Sequence, residues 1–173
     1  THYGNWTSPH GWVPGGFADV AHKNGVGVSG VASIPNASIN ANDGAWGQAL
    51  HEQVALDNEK LAKFLHYHGV DGLGYNAEFY GMSADLPALR TQHEFIHKYL
   101  VEHGNQLAEN FWYDGTNDNG GISFDGGIGS HNKETFGNGE HIRTSLFFNY
   151  NWHRSNVLNS LSNLQNVAPG RNP

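Results

Sequence analysis

The sequence predicts an α/β fold built on a parallel sheet, and three observations predict it. Helical and extended patterns alternate along the chain. The extended segments are nearly continuous in apolar or aromatic residues, as strands covered on both faces must be. Most of them also end in a cluster of polar and aromatic side chains.

A first strand end is expected within Thr1–Thr7. "FADVAHKN" then reads as the last turns of a helix closing at Asn24-Gly25, and "GVGVSGVASI" (25–34) reads as the strand that follows it. Residues 47–68 place Leu50, Val54, Leu61, Phe64 and Leu65 on one face at helical spacing, which predicts a single helix ending at Gly69. It runs into the strand "VDGLGYNAE" (70–78). Asp85 and Pro87 open the next helix, in which Leu89, Ile96 and Leu100 share a face and His103-Gly104 mark the stop. The strand "LAENFWYDG" (107–115), a long Gly/Asn loop (115–140), the strand "RTSLFFNYNW" (143–152) and a helix over about 154–166 complete the chain.

A length of 173 residues suits one domain with a real core, here one segment spanning 1–173. Nine Lys and Arg against 16 Asp and Glu give a net charge of −7, with no block of like charge. A basic nucleic-acid footprint is absent, and no stretch reaches the roughly 18 apolar residues of a membrane span. There is no cysteine, which excludes a disulfide framework and thiolate metal sites. The composition, rich in Gly and Asn and 12% aromatic, belongs to loop-rich surfaces around an aromatic-lined site. Polar sugars are one ligand class for such a surface.

In a parallel βα array the C-terminal strand ends share one face. Asn76/Glu78, Tyr113/Asp114 and Asn149/Tyr150/Trp152 therefore converge on one mouth. Side chains two apart on a strand point the same way, so Asn76 and Glu78 face one space, and Tyr75 and Phe79 the other. An open doubly wound sheet and a barrel both satisfy this geometry. A full eight-stranded barrel needs about 250 residues, so a barrel reading makes this chain a part of one, and "NVAPGRNP" stops where a further strand is due. Missing strands would leave open sheet edges, and such a piece is expected to be poorly stable alone.

A carboxyl among aromatics with few nearby cations has its neutral form favoured, the requirement for a general acid. When the substrate's own 2-acetamido group is the nucleophile, a glycosidase supplies one acid and a group that orients the amide. Asn76 beside Glu78 is a pair of that kind. Taken alone, the triplet also fits an Asn capping a loop and a Glu solvated at a strand end.

"FADVAHKNGVGVSG", "VDGLGYNAEFYG", "NFWYDG" and "LFFNYNW" occur in order, and together they resemble successive barrel segments of the glycoside hydrolase family 85 endo-β-N-acetylglucosaminidases. The resemblance runs from about Asn5 to Pro173. It implies an α/β TIM barrel, of which this chain covers only part of the strands. It also implies cleavage between the two core GlcNAc residues of N-glycans, with retention, through an oxazoline (or oxazolinium) intermediate. Glu78 would then protonate the leaving sugar and later deprotonate water, Asn76 would orient the acetamido group, and Tyr113 would contact the same group. Phe124, Tyr150 and Trp152 would line the sugar site. Where the family brings a Trp to the acceptor side, this chain offers Phe124, and "VSGVASIP" lacks a bulkier aromatic ending. The partners implied are N-linked glycans or glycoproteins, no cofactor is called for, and a secreted or cell-surface bacterial location is expected, with the cytoplasm left open. Alternatives are a catalytically silent glycan-binding module and a chitinase-like hydrolase.

Other residues have plainer readings. His66 and His68 are expected to satisfy terminal carbonyls rather than a metal, and His22 likewise. Asp71 is expected to serve a turn or salt bridge, and Asp114 is undecided. Trp6, Trp12 and Trp46 fit either the core or a sugar platform. Asn5 and Asn36 match the N-glycosylation sequon.

Overall fold

The structure, a computed structural model, describes residues 2–5, 13–33, 57–78, 83–124, 126–136, 144–167 and 169. Five strands alternate with helices: β1 (His2–Asn5), α1 (Gly15–Lys23), β2 (Gly27–Ser33), α2 (Asn58–Tyr67), β3 (Gly72–Asn76), α3 (Leu86–Glu102), β4 (Asn110–Tyr113), α4 (Lys133–Phe136), β5 (Thr144–Phe147) and α5 (Arg154–Val167). Each pairing between these five described strands is parallel, and the spatial order β1-β2-β3-β4-β5 is the chain order. A doubly wound sheet reverses its order at a switch point. This one does not, so right-handed crossovers stack the helices on one face, as in an arc of a (β/α) barrel.

The two faces of the sheet are separated by residue parity. Val28, Ala32, Leu73, Tyr75 and Trp112 join Leu61, Leu65, Leu89, Ile96 and Leu100 in the core under the helices. Tyr75 stacks on His93 of α3 at 4.1 Å between ring centroids, and Trp112 meets both rings edge-on. Asn110 ties three elements together, accepting from Leu73 N at 2.9 Å and donating to His93 O at 2.7 Å. On the opposite face Gly74 lies between Val31 and Phe111. A Cβ there would come within 2.5 Å of the Phe111 ring, so glycine is what lets that ring cover β3.

The helix ends follow the sequence closely. α1 ends at Asn24 with Gly25 at φ 68°, and α3 ends at His103 with Gly104 at φ 84°. Four expectations need correction. Asp57 is extended and caps α2 by accepting from Lys60 N, so no single helix runs from 47 to 68. Residues 47–56, with Leu50 and Val54, lie outside the described residues. Phe64 is 41% exposed while Leu61 and Leu65 are buried, because the helix presents a narrower apolar stripe. The last strand stops at Phe147, where Asn149 starts a turn closed by Trp152 N donating to Asn149 O at 3.2 Å.

Fourth, His22 does not cap its helix through its ring. Its Nε2 lies 2.8 Å from Asp71 Oδ2. The same buried carboxylate accepts from Val28 N at 2.6 Å and Asn105 Nδ2 at 2.9 Å, which is the structural role expected of Asp71. His68 ends α2 with its ring on Phe64, and the His66 ring faces His103 at 5.5 Å. Among the described residues no three His, Asp or Glu gather as a metal site needs, and no helix is long and apolar enough to cross a membrane. Trp6, Trp12, Asn36, Trp46 and Phe79 lie outside the described residues.

Candidate active site

The face of the sheet opposite the described helices is layered along the strands. Near its N-terminal end Ser145 Oγ donates to Glu109 Oε1, and Ser29 Oγ donates to Glu109 O at 3.0 Å, so the polar groups there satisfy one another. Above Ser29 and Glu109, Val31, Gly74 and Phe111 make the next layer, with Ser145 in register beside Phe111. The next layer carries Asn76, Tyr113 and Phe147. Tyr113 pairs with Phe147 in register, and extending the β3–β4 pairing by one residue sets Asn76 opposite Tyr113. Neighbouring strands are about 4.8 Å apart, so these side chains share one small space.

Glu78 lies two residues past Asn76, on the same side. Asn76 donates a side-chain hydrogen bond to its carboxylate, which tends to lower the pKa, but burial outweighs this and pushes the carboxyl above its ordinary range. The amide of Asn76 is thereby oriented. Its nitrogen is spent on Glu78, while Oδ1 is buried and meets no hydrogen-bond partner among the described residues. A buried acceptor of this kind is costly unless something else fills it.

The Tyr113 phenol is pushed up to about 12, first by burial and then by the charge of Glu78, so it is protonated across the neutral range. Its hydroxyl donates to Asn149 Oδ1 at 3.1 Å. Phe124 reaches the site from the loop after β4, 6.2 Å from Tyr113 and roughly edge-on. The loop is held by the Thr116–Ile122 bridge, by Thr116 Oγ1 donating to Ala77 O, and by Arg90 of α3 paired with Asp118 at 2.7 Å. The region read as one long loop therefore has its own anchors and the short helix α4.

Tyr150 and Trp152 sit on the turn after β5, 88% and 54% exposed, and Phe124 is 43% exposed. Trp152 packs only loosely on Phe148, at 6.2 Å. The structure thus gathers Asn76, Glu78 and Tyr113 in one layer system, with Phe124 beside Tyr113 and the two exposed aromatics beyond Asn149. Asp114 is buried next to them, its N–H donating to Phe147 O at 2.9 Å. Asn149 is the site residue that sequence reasoning underrated. Its signal was present, a second Asn at the end of a strand whose neighbours are aromatic, but nothing in the sequence shows that it reaches across to Tyr113.

Chemically, the arrangement offers one carboxylic acid favoured in its neutral form, one oriented amide acceptor, a neutral phenol and a rim of aromatic faces. These are the parts of an acid-catalysed bond cleavage on a neutral polar substrate. The model of glycosyl hydrolase family 85 matches residues 11–171. A crystal structure of the glycoside hydrolase domain of Spr0440, Endo-D from Streptococcus pneumoniae R6, matches with a TM-score of 0.72 at 23% identity, over 91% of this chain and 25% of that one. The chain thus spans about a quarter of that structure, and at this identity the likeness concerns the fold, a partial barrel. No curated protein matches the chain.

Proposed function

The chain belongs to glycosyl hydrolase family 85, and from that premise we propose that it carries the acid/base centre of an endo-β-N-acetylglucosaminidase. The bond cut is the β-1,4 link between the two core GlcNAc residues of N-glycans. Glu78, as the neutral acid, gives its proton to the glycosidic oxygen. The carbonyl oxygen of the substrate's 2-acetamido group attacks the anomeric carbon as that bond breaks, forming an oxazolinium ion that keeps its N–H proton. Glu78, now a carboxylate, removes a proton from the water that opens the ring, and the two inversions give net retention.

The observation that supports this reading most is the divided amide of Asn76: its nitrogen is bound to Glu78 and its Oδ1 is left as a buried acceptor. An acetamido N–H placed on that oxygen turns the acetamido carbonyl toward the anomeric carbon. Tyr113 closes the other side of the group. Tyr150, Trp152 and Phe124 offer faces on which sugar rings stack, each giving apolar contact to C–H bonds at small entropic cost.

The test is the rate of release of glycan from an N-glycosylated peptide by the full-length protein. Glu78→Gln is expected to lower kcat by 10²-fold or more, the usual worth of a positioned acid. Equal rates in the two proteins would remove Glu78 from the chemistry.

A further inference from the structure

Resting on the proposed reaction, a further question is which way the Tyr113 hydroxyl points its proton. Among the described residues Asn149 Oδ1 accepts from two groups, Tyr113 Oη at 3.1 Å and the Tyr150 backbone N–H at 2.6 Å. A backbone N–H can only donate, so the atom beside it is the amide oxygen and not the nitrogen. That settles the amide's orientation, and the phenol facing the same oxygen must donate to it. The turn that sets this up is closed by the main chain of Asn149 itself, through Trp152 N.

We propose that Asn149 is a positioning residue that takes the Tyr113 proton, so that Tyr113 Oη meets the sugar as a hydrogen-bond acceptor. With Asn76 Oδ1 also an acceptor, the two groups select donors: the acetamido N–H and a sugar hydroxyl. Neither then donates to the acetamido carbonyl oxygen. This matters chemically, because that oxygen is the nucleophile and a hydrogen bond to its lone pair would weaken it. The raised phenol supports the assignment, since a hydroxyl that stays protonated keeps its proton on Asn149 throughout the working range.

Two measurements on the full-length protein test it. In the first, Tyr113 is replaced by 3-fluorotyrosine, and its phenol is titrated by fluorine NMR with and without Asn149→Ala. Removing the acceptor of the phenol proton is expected to lower the midpoint by about one pH unit, the worth of one hydrogen bond. An unmoved midpoint overturns the proposal, and this readout needs no turnover. In the second, Asn149→Ala is expected to lower kcat about tenfold with KM within about threefold, and to cost no further kcat in the Tyr113→Phe background. The same kcat loss in both backgrounds would mean that Asn149 only holds its turn, and would overturn the proposal. Absence of cleavage by the wild-type protein would instead reject the proposed reaction, with the titration still deciding the role of Asn149.

Discussion

Glu78 and His93 are both titratable, and burial moves them in opposite directions from their ordinary values. For Glu78 the raised pKa keeps the acid form to higher pH, and the Asn76 hydrogen bond works against this. Activity is therefore expected to fall on the alkaline side as pH rises through the raised pKa. In Asn76→Ala, whose residual rate can be followed, that limb should move to higher pH, because the donor that favoured the carboxylate is gone. A limb moving to lower pH would contradict the described pairing. His93 is wholly buried and pushed down to about 3 from 6.5, so it folds neutral. The unfolded chain binds the extra proton between those two values, so the contribution is complete above about pH 6.5 and is lost as pH falls toward 3. The loss is up to about 5 kcal/mol. Denaturant melts of wild type and His93→Phe across that range should show the acid slope in the wild type and a flatter one in the variant.

The same residues show what the sequence made legible. Period-two alternation is enough to set Asn76 and Glu78 on one side and Tyr75 on the other, since strand geometry is local. It does not reveal that the Asn76 amide is divided between Glu78 and an open acceptor, which depends on side-chain rotation. Nor does it reveal the Tyr113–Asn149 bond, which joins residues 36 apart in sequence.

Among elements, the strands and the longer helices were readable because apolar periodicity and terminal glycines are local signals. Gly25, Gly69 and Gly104 all adopt positive φ at the ends of helices, as their places in the pattern imply. The errors came where a polar residue overrode the pattern: Asp57 starts α2 by capping it, although apolar residues at helical spacing continue upstream. Contacts between elements were least visible. Asp71 precedes β3, yet it holds α1 through His22, β2 through Val28 N, and the end of α3 through Asn105. Asp71→Ala would leave those donors facing a buried gap. The expected cost is about 3 kcal/mol of unfolding free energy, measured by urea titration. A change under about 0.5 kcal/mol, the range of surface substitutions, would show that the three contacts are not formed together.

At the scale of the whole molecule, five parallel strands in chain order bring the ends of β3, β4 and β5 to one side, and the candidate site is assembled there. The chain order of the strands resolves what periodicity left open between a barrel and a doubly wound sheet. The proposed reaction is cleavage of a GlcNAc–GlcNAc bond at this end of the sheet, with Glu78 as acid. The most direct measurement is mass spectrometry of an N-glycosylated peptide after incubation with the full-length wild-type protein, Glu78→Gln and Asn76→Ala. The proposed reaction predicts a peptide retaining a single GlcNAc in the wild-type sample, and far slower processing with either variant. It is contradicted by equal processing in all three samples, or by a wild-type protein that binds the glycopeptide and leaves it intact.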